Sequence, residues 1–135
     1  MAIFVDTSAI YALLAEDDSR HAAAVATFSV LAESEDLVTH AYVVSEAAAL
    51  VQRRLGPVAL RLLLADVIEI LEVEMVDRAI HERAVASTLA AVDRRVSFVD
   101  WTSFAFMRER GIRDALAFDR DFADQGFRLP PGAEA

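Results

Sequence analysis

Four acidic residues in this sequence have the type and placement that metal-dependent chemistry requires. Asp6 directly follows the apolar run 3–5, Asp100 closes the run 96–99, and Asp119 follows an apolar stretch that ends at residue 118. In an open parallel sheet, ligands gather beyond the carboxyl ends of the strands, so residues in such positions can converge. Carboxylate oxygens are hard ligands that favour Mg²⁺ or Mn²⁺. The pattern therefore predicts a shared divalent-cation site.

The fourth acid, Glu46, lies within a predicted helix rather than after a strand. That helix places Val43, Ala47 and Leu50 on one apolar stripe, and the helical period puts Glu46 within the same stripe. We therefore expect its carboxylate to face inward. A buried unpaired carboxylate costs several kcal/mol, so Glu46 needs a partner, either an arginine or a metal ion. Without a metal, clustered carboxylates repel one another, and at least one pKa should rise.

Each of these acids also has an ordinary structural interpretation. Asp6 and Asp100 could cap helices, because Asp is frequent before a helix. Asp119 could cap the turn that leads to residue 122. Glu46 could pair near the surface with Arg53 or Arg54.

Residue types that are absent exclude several kinds of chemistry. The chain has no Cys, Lys or Asn, and its four Gly are widely spaced. These absences exclude a thiolate nucleophile, a cysteine-ligated zinc site, Schiff-base chemistry and a glycine-rich phosphate loop. We expect the three histidines to be structural, because none belongs to a ligand pair: His21, His40 and His81.

A net charge of −9 weighs against a nucleic-acid partner, because phosphate is repelled by a negative surface. Four of the negative charges would belong to the proposed site, where bound cations would offset them. All 13 basic residues are Arg, whose planar guanidinium suits bidentate phosphate contact. The candidates for such contact are Arg53, Arg54, Arg94, Arg95, Arg108, Arg110 and Arg113. Each of them also fits a solvated helix surface.

The elements that must position the acids alternate between strands and helices. Apolar runs predict strands at Ile3–Val5, Leu37–Thr39, Ile68–Val73 and Phe127–Leu129, with an extended segment at Ile112–Phe118. Helical patterns begin at about Ser8 and cover His21–Glu33, Tyr42–Leu55, Pro57–Ala65, Asp77–Val92 and Asp100–Arg110. Such alternation predicts the α/β class, a three-layer α/β/α sandwich around a small, mostly parallel sheet.

The chain length fits a single domain over residues 1–129, followed by a loose tail at 130–135. No basic stretch precedes an apolar core at the N-terminus, and no apolar run approaches the roughly 18 residues that span a bilayer. We expect a soluble, cytoplasmic protein.

Four segments resemble the motifs of the PIN-domain family, and within it the VapC-type toxins. They are residues 4–9 (FVDTSA), 43–46 (VVSE), 98–104 (FVDWTSF) and 115–122 (ALAFDRDF), the last followed by Gly126 and Phe127. The segments occur in the family's order and span nearly the whole chain. The resemblance implies that Asp6, Glu46, Asp100 and Asp119 form an acidic quartet that holds Mg²⁺ or Mn²⁺.

Details of the motifs leave two points open. Ala117 stands where the family often has Thr or Ser, which leaves Asp119 and Asp121 as alternatives for the fourth acid. The hydroxyls of Thr7 and Ser8 are candidates to support the first acid through hydrogen bonds.

The resemblance also implies an activity and partners. It implies hydrolysis of RNA phosphodiester bonds by a metal-activated water, a homodimer, and a cognate antitoxin that blocks the cleft. Two alternatives remain. One is a PIN-fold module that binds RNA or protein without cutting. The other is a HAD-like phosphatase, although Ser8 replaces the second Asp of that class and its Lys is absent.

Overall fold

A computed structural model describes residues 1–92 and 95–129. Four strands and seven helices occur in this part of the chain. In chain order they are β1 (Ala2–Val5), α1 (Thr7–Leu14), α2 (His21–Ser34), β2 (Asp36–His40), α3 (Ala41–Leu55), α4 (Pro57–Ala65), β3 (Glu72–Glu74), α5 (Arg78–Ala90), α6 (Phe98–Arg110), β4 (Asp114–Leu116) and α7 (Asp121–Asp124). The predicted tail and Arg94 lie outside the described residues.

The four strands form one sheet in the order β3-β2-β1-β4, and every neighbouring pair is parallel. Along the chain, strands are first added on one side of β1, and β4 is then added on its other side. The strand order therefore reverses between β1 and β4, which is where a crevice opens beyond the carboxyl ends of a parallel sheet. Helices flank the sheet, which confirms the predicted α/β fold class.

The core forms where apolar side chains of the central strands meet α6. Phe4 in β1 packs against Phe106 and Phe122, with ring centroids 5.8 and 6.0 Å apart. Phe104 contacts Phe122 edge to face at 5.0 Å, and all four rings are fully buried. These contacts hold the first strand, the sixth helix and the last helix together, so they also fix the positions of the residues that follow those elements.

Two predicted elements differ from the structure. The predicted strand Ile68–Val73 is a 3-10 helix at Val67–Ile70, and β3 begins only at Glu72. Val67 and Leu71 are both buried, whereas Glu69 between them is exposed, although all three side chains would lie on one face of a strand. The predicted last strand, Phe127–Leu129, is reduced to a single parallel bridge between Arg128 and Asp114.

The start of α6 also differs from the prediction. The run 96–99, which was predicted to precede the helix, contains its first two residues, because Ser97 caps α6 and the helix begins at Phe98 rather than at Asp100. The Ser97 side chain accepts a hydrogen bond from the amide of Asp100, and the Asp100 carboxylate accepts one from the amide of Ser97. This capping box outweighs the apolar run and starts the helix two residues early. No helix in the described residues is long and apolar enough to cross a membrane.

Candidate active site

Three of the four predicted acids meet at the carboxyl edge of the sheet. Asp6 directly follows β1, Asp119 follows β4 by three residues, and Asp100 lies in the first turn of α6. One oxygen from each carboxylate can be chosen so that all three lie within 4.8 Å of one another. Three such oxygens from distant parts of the chain form one face of a possible divalent-cation site.

Asp6 lies deepest, with only 2% of its surface exposed. Its Oδ2 accepts hydrogen bonds from the Ser8 hydroxyl at 2.7 Å and from the Ser8 amide at 3.2 Å, so Asp6 also caps α1. Its Oδ1 is buried and has no hydrogen-bond partner within the described residues. A buried oxygen without a partner is costly, and a cation would satisfy it. This orphaned oxygen fits a metal ligand better than a cap alone.

The pKa values of the three carboxyl groups are all raised. Burial, followed by repulsion from Asp100 and Asp119, raises the pKa of Asp6 to about 7. Burial and repulsion from Asp119 raise the pKa of Asp100 to about 6. Burial, followed by repulsion from Asp121, raises the pKa of Asp119. The cluster is thus short of positive charge, as expected for a site that a cation completes.

Asp100 reaches the cluster from the N-terminus of α6. Its Oδ2 accepts a hydrogen bond from the Ser97 amide at 3.3 Å, which is one half of the capping box. The positive end of the helix dipole favours a negative charge at this position. The same residue therefore starts the helix and contributes to the acidic cluster, so the two sequence interpretations of Asp100 are compatible.

Between Asp119 and Asp121, the geometry brings Asp119 into the cluster. Asp119 Oδ1 accepts a hydrogen bond from the Asp121 amide at 3.1 Å at the start of α7. Arg20 lies close enough to lower the pKa of Asp119, although burial raises it more. The guanidinium of Arg20 stands over the Phe118 ring, 5.8 Å from its centroid. Sequence patterns did not point to Arg20, because it lies in the loop before α2.

Glu46 is near the cluster but outside its tight group of three. The buried stripe of α3 consists of Val43, Ala47 and Val51, and Glu46 is half-buried beside it. The predicted stripe is therefore wrong at one position, since Val51 rather than Leu50 completes it, and Glu46 lies at its border. Its carboxylate nevertheless lies close enough to raise the pKa of Asp100. No ion pair joins Glu46 to an arginine within residues 1–92 and 95–129.

The two hydroxyls expected to support the first acid have different roles. Ser8 bonds to Asp6 as predicted, and its Oγ also accepts a hydrogen bond from the Phe118 amide at 3.0 Å. The Thr7 hydroxyl is buried without a hydrogen-bond partner in the described structure, so it does not support Asp6 in this way. The link from Ser8 to Phe118 could not be predicted, because it joins residues 110 positions apart.

Of the histidines, His40 is the most buried, and its contacts are structural. Its Nδ1 accepts a hydrogen bond from the Val43 amide, which caps α3. Its Nε2 therefore carries the proton and donates to the Ser103 hydroxyl at 2.9 Å. Burial lowers the pKa of His40 to about 4, so the ring is neutral. His21 and His81 also bond to protein groups, the Ala12 carbonyl and the Tyr42 hydroxyl.

An all-parallel α/β sheet with carboxylates at its switch point is an arrangement that a metal-dependent hydrolase can use. The sequence pattern of the PIN domain matches residues 3–128, and the chain belongs to the PIN-domain family. The predicted family is confirmed.

Individual relatives agree with this family. Two curated proteins named 23S rRNA-specific endonuclease VapC20, from the CDC 1551 and H37Rv strains of Mycobacterium tuberculosis, are each 36% identical over 126 residues. Each alignment covers 93% of this chain and 95% of the relative. The crystal structure of M. tuberculosis VapC20, described as a sarcin-ricin loop cleaving toxin, superposes with a TM-score of 0.81 at 37% identity. That match covers 93% of this chain and 96% of the other, and it confirms the predicted resemblance to VapC-type toxins.

Proposed function

We propose that this protein is a Mg²⁺- or Mn²⁺-dependent endoribonuclease that hydrolyses RNA phosphodiester bonds as the toxin of a toxin–antitoxin pair. The observation that carries the proposal is the convergence of Asp6, Asp100 and Asp119 around the unpartnered Oδ1 of Asp6. Hard carboxylate oxygens and raised pKa values fit a divalent cation. Family membership and the VapC20 relatives support the same activity.

In this proposal, Asp6, Asp100 and Asp119 hold the cation, and Glu46 supports it from the side of Asp100. A bound Mg²⁺ or Mn²⁺ supplies acidity to a coordinated water and offsets the charge that develops on the phosphate. Ser8 keeps the Asp6 carboxylate oriented, because its hydroxyl donates to Oδ2 at 2.7 Å. The amide of Phe118, bonded to Ser8, keeps the segment that carries Asp119 beside Asp6.

The substrate that the relatives favour is structured ribosomal RNA, because the curated proteins are named 23S rRNA-specific endonucleases. A cognate antitoxin and a second copy of the chain are the proposed protein partners, and the cytoplasm is the proposed location. Exposed apolar side chains on α4 suit a second copy: Val58 and Leu62 lie one helical turn apart and are 75% and 45% exposed.

The experiment that tests the proposal compares RNA cleavage by matched aspartate variants. Purified protein is incubated with ribosomal RNA and with a mixed RNA pool, with Mg²⁺ or Mn²⁺ and then with EDTA. We expect cutting that needs the metal and that is lost in the Asp6→Asn, Asp100→Asn and Asp119→Asn variants. Asp124→Asn is the control, because Asp124 is exposed on α7 and lies outside the cluster.

The outcomes separate the alternatives. Equal cutting by wild type and the three variants would indicate a contaminant and overturn the assignment. Binding of Mn²⁺ and RNA without any cutting would favour the silent PIN-fold module. Calorimetric titration with Mn²⁺ gives an independent readout, because loss of any cluster carboxylate should weaken binding of the ion itself.

A further inference from the structure

Four of the arginines gather at the opposite edge of the sheet from the acidic cluster. Arg108 and Arg110 end α6, Arg113 precedes β4, and Arg128 forms the bridge beside it. They line two adjoining cavities of about 490 and 410 Å³, which share Gly111, Ile112, Arg113 and Arg128. We call this feature the arginine groove. It is unusual for a chain with a net charge of −9.

We propose that the arginine groove binds backbone phosphates of the RNA substrate at a distance from the cut. This inference rests on the proposed ribonuclease function and adds a second contact region for the same substrate. The ligand chemistry is a series of phosphodiester groups, which guanidinium groups recognise through charge and paired hydrogen bonds.

Within the described residues, two of the four guanidinium groups have no carboxylate partner. Arg113 is exposed, and its side chain makes no hydrogen bond or ion pair there, although its backbone carbonyl accepts a hydrogen bond from the Arg128 amide at 2.8 Å. Arg108 donates to the Gln125 backbone carbonyl at 3.2 Å and to its side-chain oxygen at 3.0 Å, both of which are neutral. Its guanidinium also stands over the Phe127 ring, 5.2 Å from the centroid. Both charges are therefore available to an external anion, and Arg108 is already held in place.

The other two arginines are neutralised by acids and shape the groove. Arg110 pairs with Glu74, and Arg128 pairs with Asp114 at 2.9 Å. The net charge of the groove is thus about two positive units, obtained from four arginines and two carboxylates. This charge is enough for contact with a few phosphates and too small for tight binding by itself. The groove should therefore act together with the cleavage site.

Helix α6 connects the groove to the acidic cluster. Asp100 lies in its first turn and Arg110 at its last residue, ten positions apart, which corresponds to about 15 Å along the axis. A short oligonucleotide around the scissile bond would not reach the groove. A folded RNA, whose strands present phosphates on more than one side, would reach both. The groove therefore fits a structured RNA better than a minimal fragment.

The test measures RNA binding by a protein that cannot cut. In an Asp6→Asn background with Mg²⁺, wild-type groove residues are compared with Arg113→Gln, Arg113→Lys and the double variant Arg108→Gln/Arg113→Gln. The probes are a labelled folded RNA that the active protein cuts and an oligonucleotide of about four nucleotides around the same cut. The control is Arg78→Gln/Arg83→Gln, which removes two exposed arginines from α5.

For the folded RNA, we expect the double variant to raise Kd at least about fivefold. In a plot of the logarithm of the binding constant against the logarithm of salt concentration, the slope should fall by about 1.4 to 1.8, the range for two lost contacts to single-stranded or duplex nucleic acid. Arg113→Lys should keep part of the affinity, because it keeps the charge but loses the paired hydrogen bonds of the guanidinium. The short oligonucleotide and the control variant should change by less than about twofold. In the active protein, the same change should raise KM on folded RNA and leave kcat unchanged.

Folded variants that bind the folded RNA like wild type would overturn the proposal and leave the ribonuclease function standing. An equal loss on the short oligonucleotide would also overturn it, since the arginines would then act only through overall charge. Absence of any RNA cutting by the wild-type protein would instead contradict the proposed function, so the two failures are distinguishable. Thermal melting of each variant verifies that it folds. Substitution of the exposed Arg113 should leave the melting temperature unchanged.

Discussion

The hydroxyl of Ser8 connects to the backbone of Phe118, 110 residues away, by a 3.0 Å hydrogen bond. The same oxygen donates to Asp6 at 2.7 Å, so one side chain joins the segments that carry the first and the last acid of the cluster. Ser8 thus fixes the geometry of the site without belonging to the cluster itself.

The first prediction concerns Ser8→Ala. Asp6 would keep the hydrogen bond from the backbone amide of residue 8 but would lose the shorter one from the Ser8 hydroxyl. The Phe118 amide would lose the hydroxyl that accepts its hydrogen bond. We expect Mn²⁺ affinity to fall about tenfold, because partners that orient a metal ligand contribute that much. The free energy of unfolding should fall by about 1 to 2 kcal/mol. Calorimetry and denaturant melts measure the two effects.

Ser29→Ala is the matched control for this change. Ser29 is exposed, and its hydroxyl only bonds to the Val25 carbonyl within α2. Ser29→Ala should change neither the Mn²⁺ affinity nor the free energy of unfolding beyond experimental error. If Ser8→Ala kept wild-type Mn²⁺ affinity, Ser8 would be a helix-capping residue without influence on the metal site.

The second prediction concerns pH and the stability of the metal-free protein. The pKa of Asp6 is about 7 in the folded state against 3.8 ordinarily, so the folded chain holds a proton that the unfolded chain releases. Stability from this group is therefore present at low pH and is lost as pH rises from about 4 to about 7. The loss has an upper bound of about 4 kcal/mol.

The measurement compares melts of wild type and Asp6→Asn in EDTA across this pH range. Since Asn does not titrate, the variant should gain stability relative to wild type as pH rises. Added Mg²⁺ should stabilise wild type most at high pH, where the carboxylates are ionised. Parallel pH curves for the two proteins would contradict the assigned burial of Asp6.

The third prediction orders the contributions of the acids. Glu46 is half-buried and lies outside the group of three, while Asp100 lies within it. Glu46→Gln should therefore weaken Mn²⁺ binding less than Asp100→Asn does, and it should retain measurable RNA cutting. Titration with Mn²⁺ and cleavage rates measure both. Glu69→Gln, on an exposed residue, is the control. Equal losses of Mn²⁺ affinity in Glu46→Gln and Asp100→Asn would place Glu46 among the direct ligands.

The fourth prediction concerns His40, whose buried ring has a pKa of about 4 against 6.5 ordinarily. As pH falls from about 6.5 to about 4, His40 binds a proton in the unfolded chain but stays neutral in the folded protein. The free energy of unfolding therefore decreases over this range. His40→Asn keeps a side-chain acceptor for the α3 cap but does not titrate. It should cost about 2 kcal/mol in lost packing at neutral pH.

Melts across this acidic range test the role of His40. The stability difference between wild type and His40→Asn should shrink as pH falls, because only wild type has the titrating ring. Mn²⁺ affinity should stay near that of wild type at neutral pH, since His40 bonds to Ser103 and the α3 backbone rather than to the cluster. A constant difference would mean that the ring is accessible to protons in the folded protein.

The elements were predictable where local patterns are strong. The run Ile3–Val5 ends at Asp6, and helices such as Pro57–Ala65 have the predicted bounds. Prediction was wrong at Ile68–Val73, because apolar spacing in a short segment does not distinguish a strand from a helical turn. The start of α6 was also predicted two residues too late, at Asp100 rather than at Phe98, because the capping role of Ser97 was not recognised.

The sequence by itself determined the chemistry that is available: an abundance of carboxylate, guanidinium as the only strong base, and acids at the ends of apolar runs. It also determined that Asp6 and the segment before Asp119 would share one edge, because parallel strands end together. Only the tertiary structure decided that Asp100 joins the cluster from a helix N-terminus and that Glu46 lies beside it. It also decided that arginines of α6, of the loop after α6 and of the segment after α7 meet at the opposite edge of the sheet. Those distances depend on how α6 packs against β1 and on how β4 pairs with β1, and such contacts join residues too distant in the chain for any local pattern to encode.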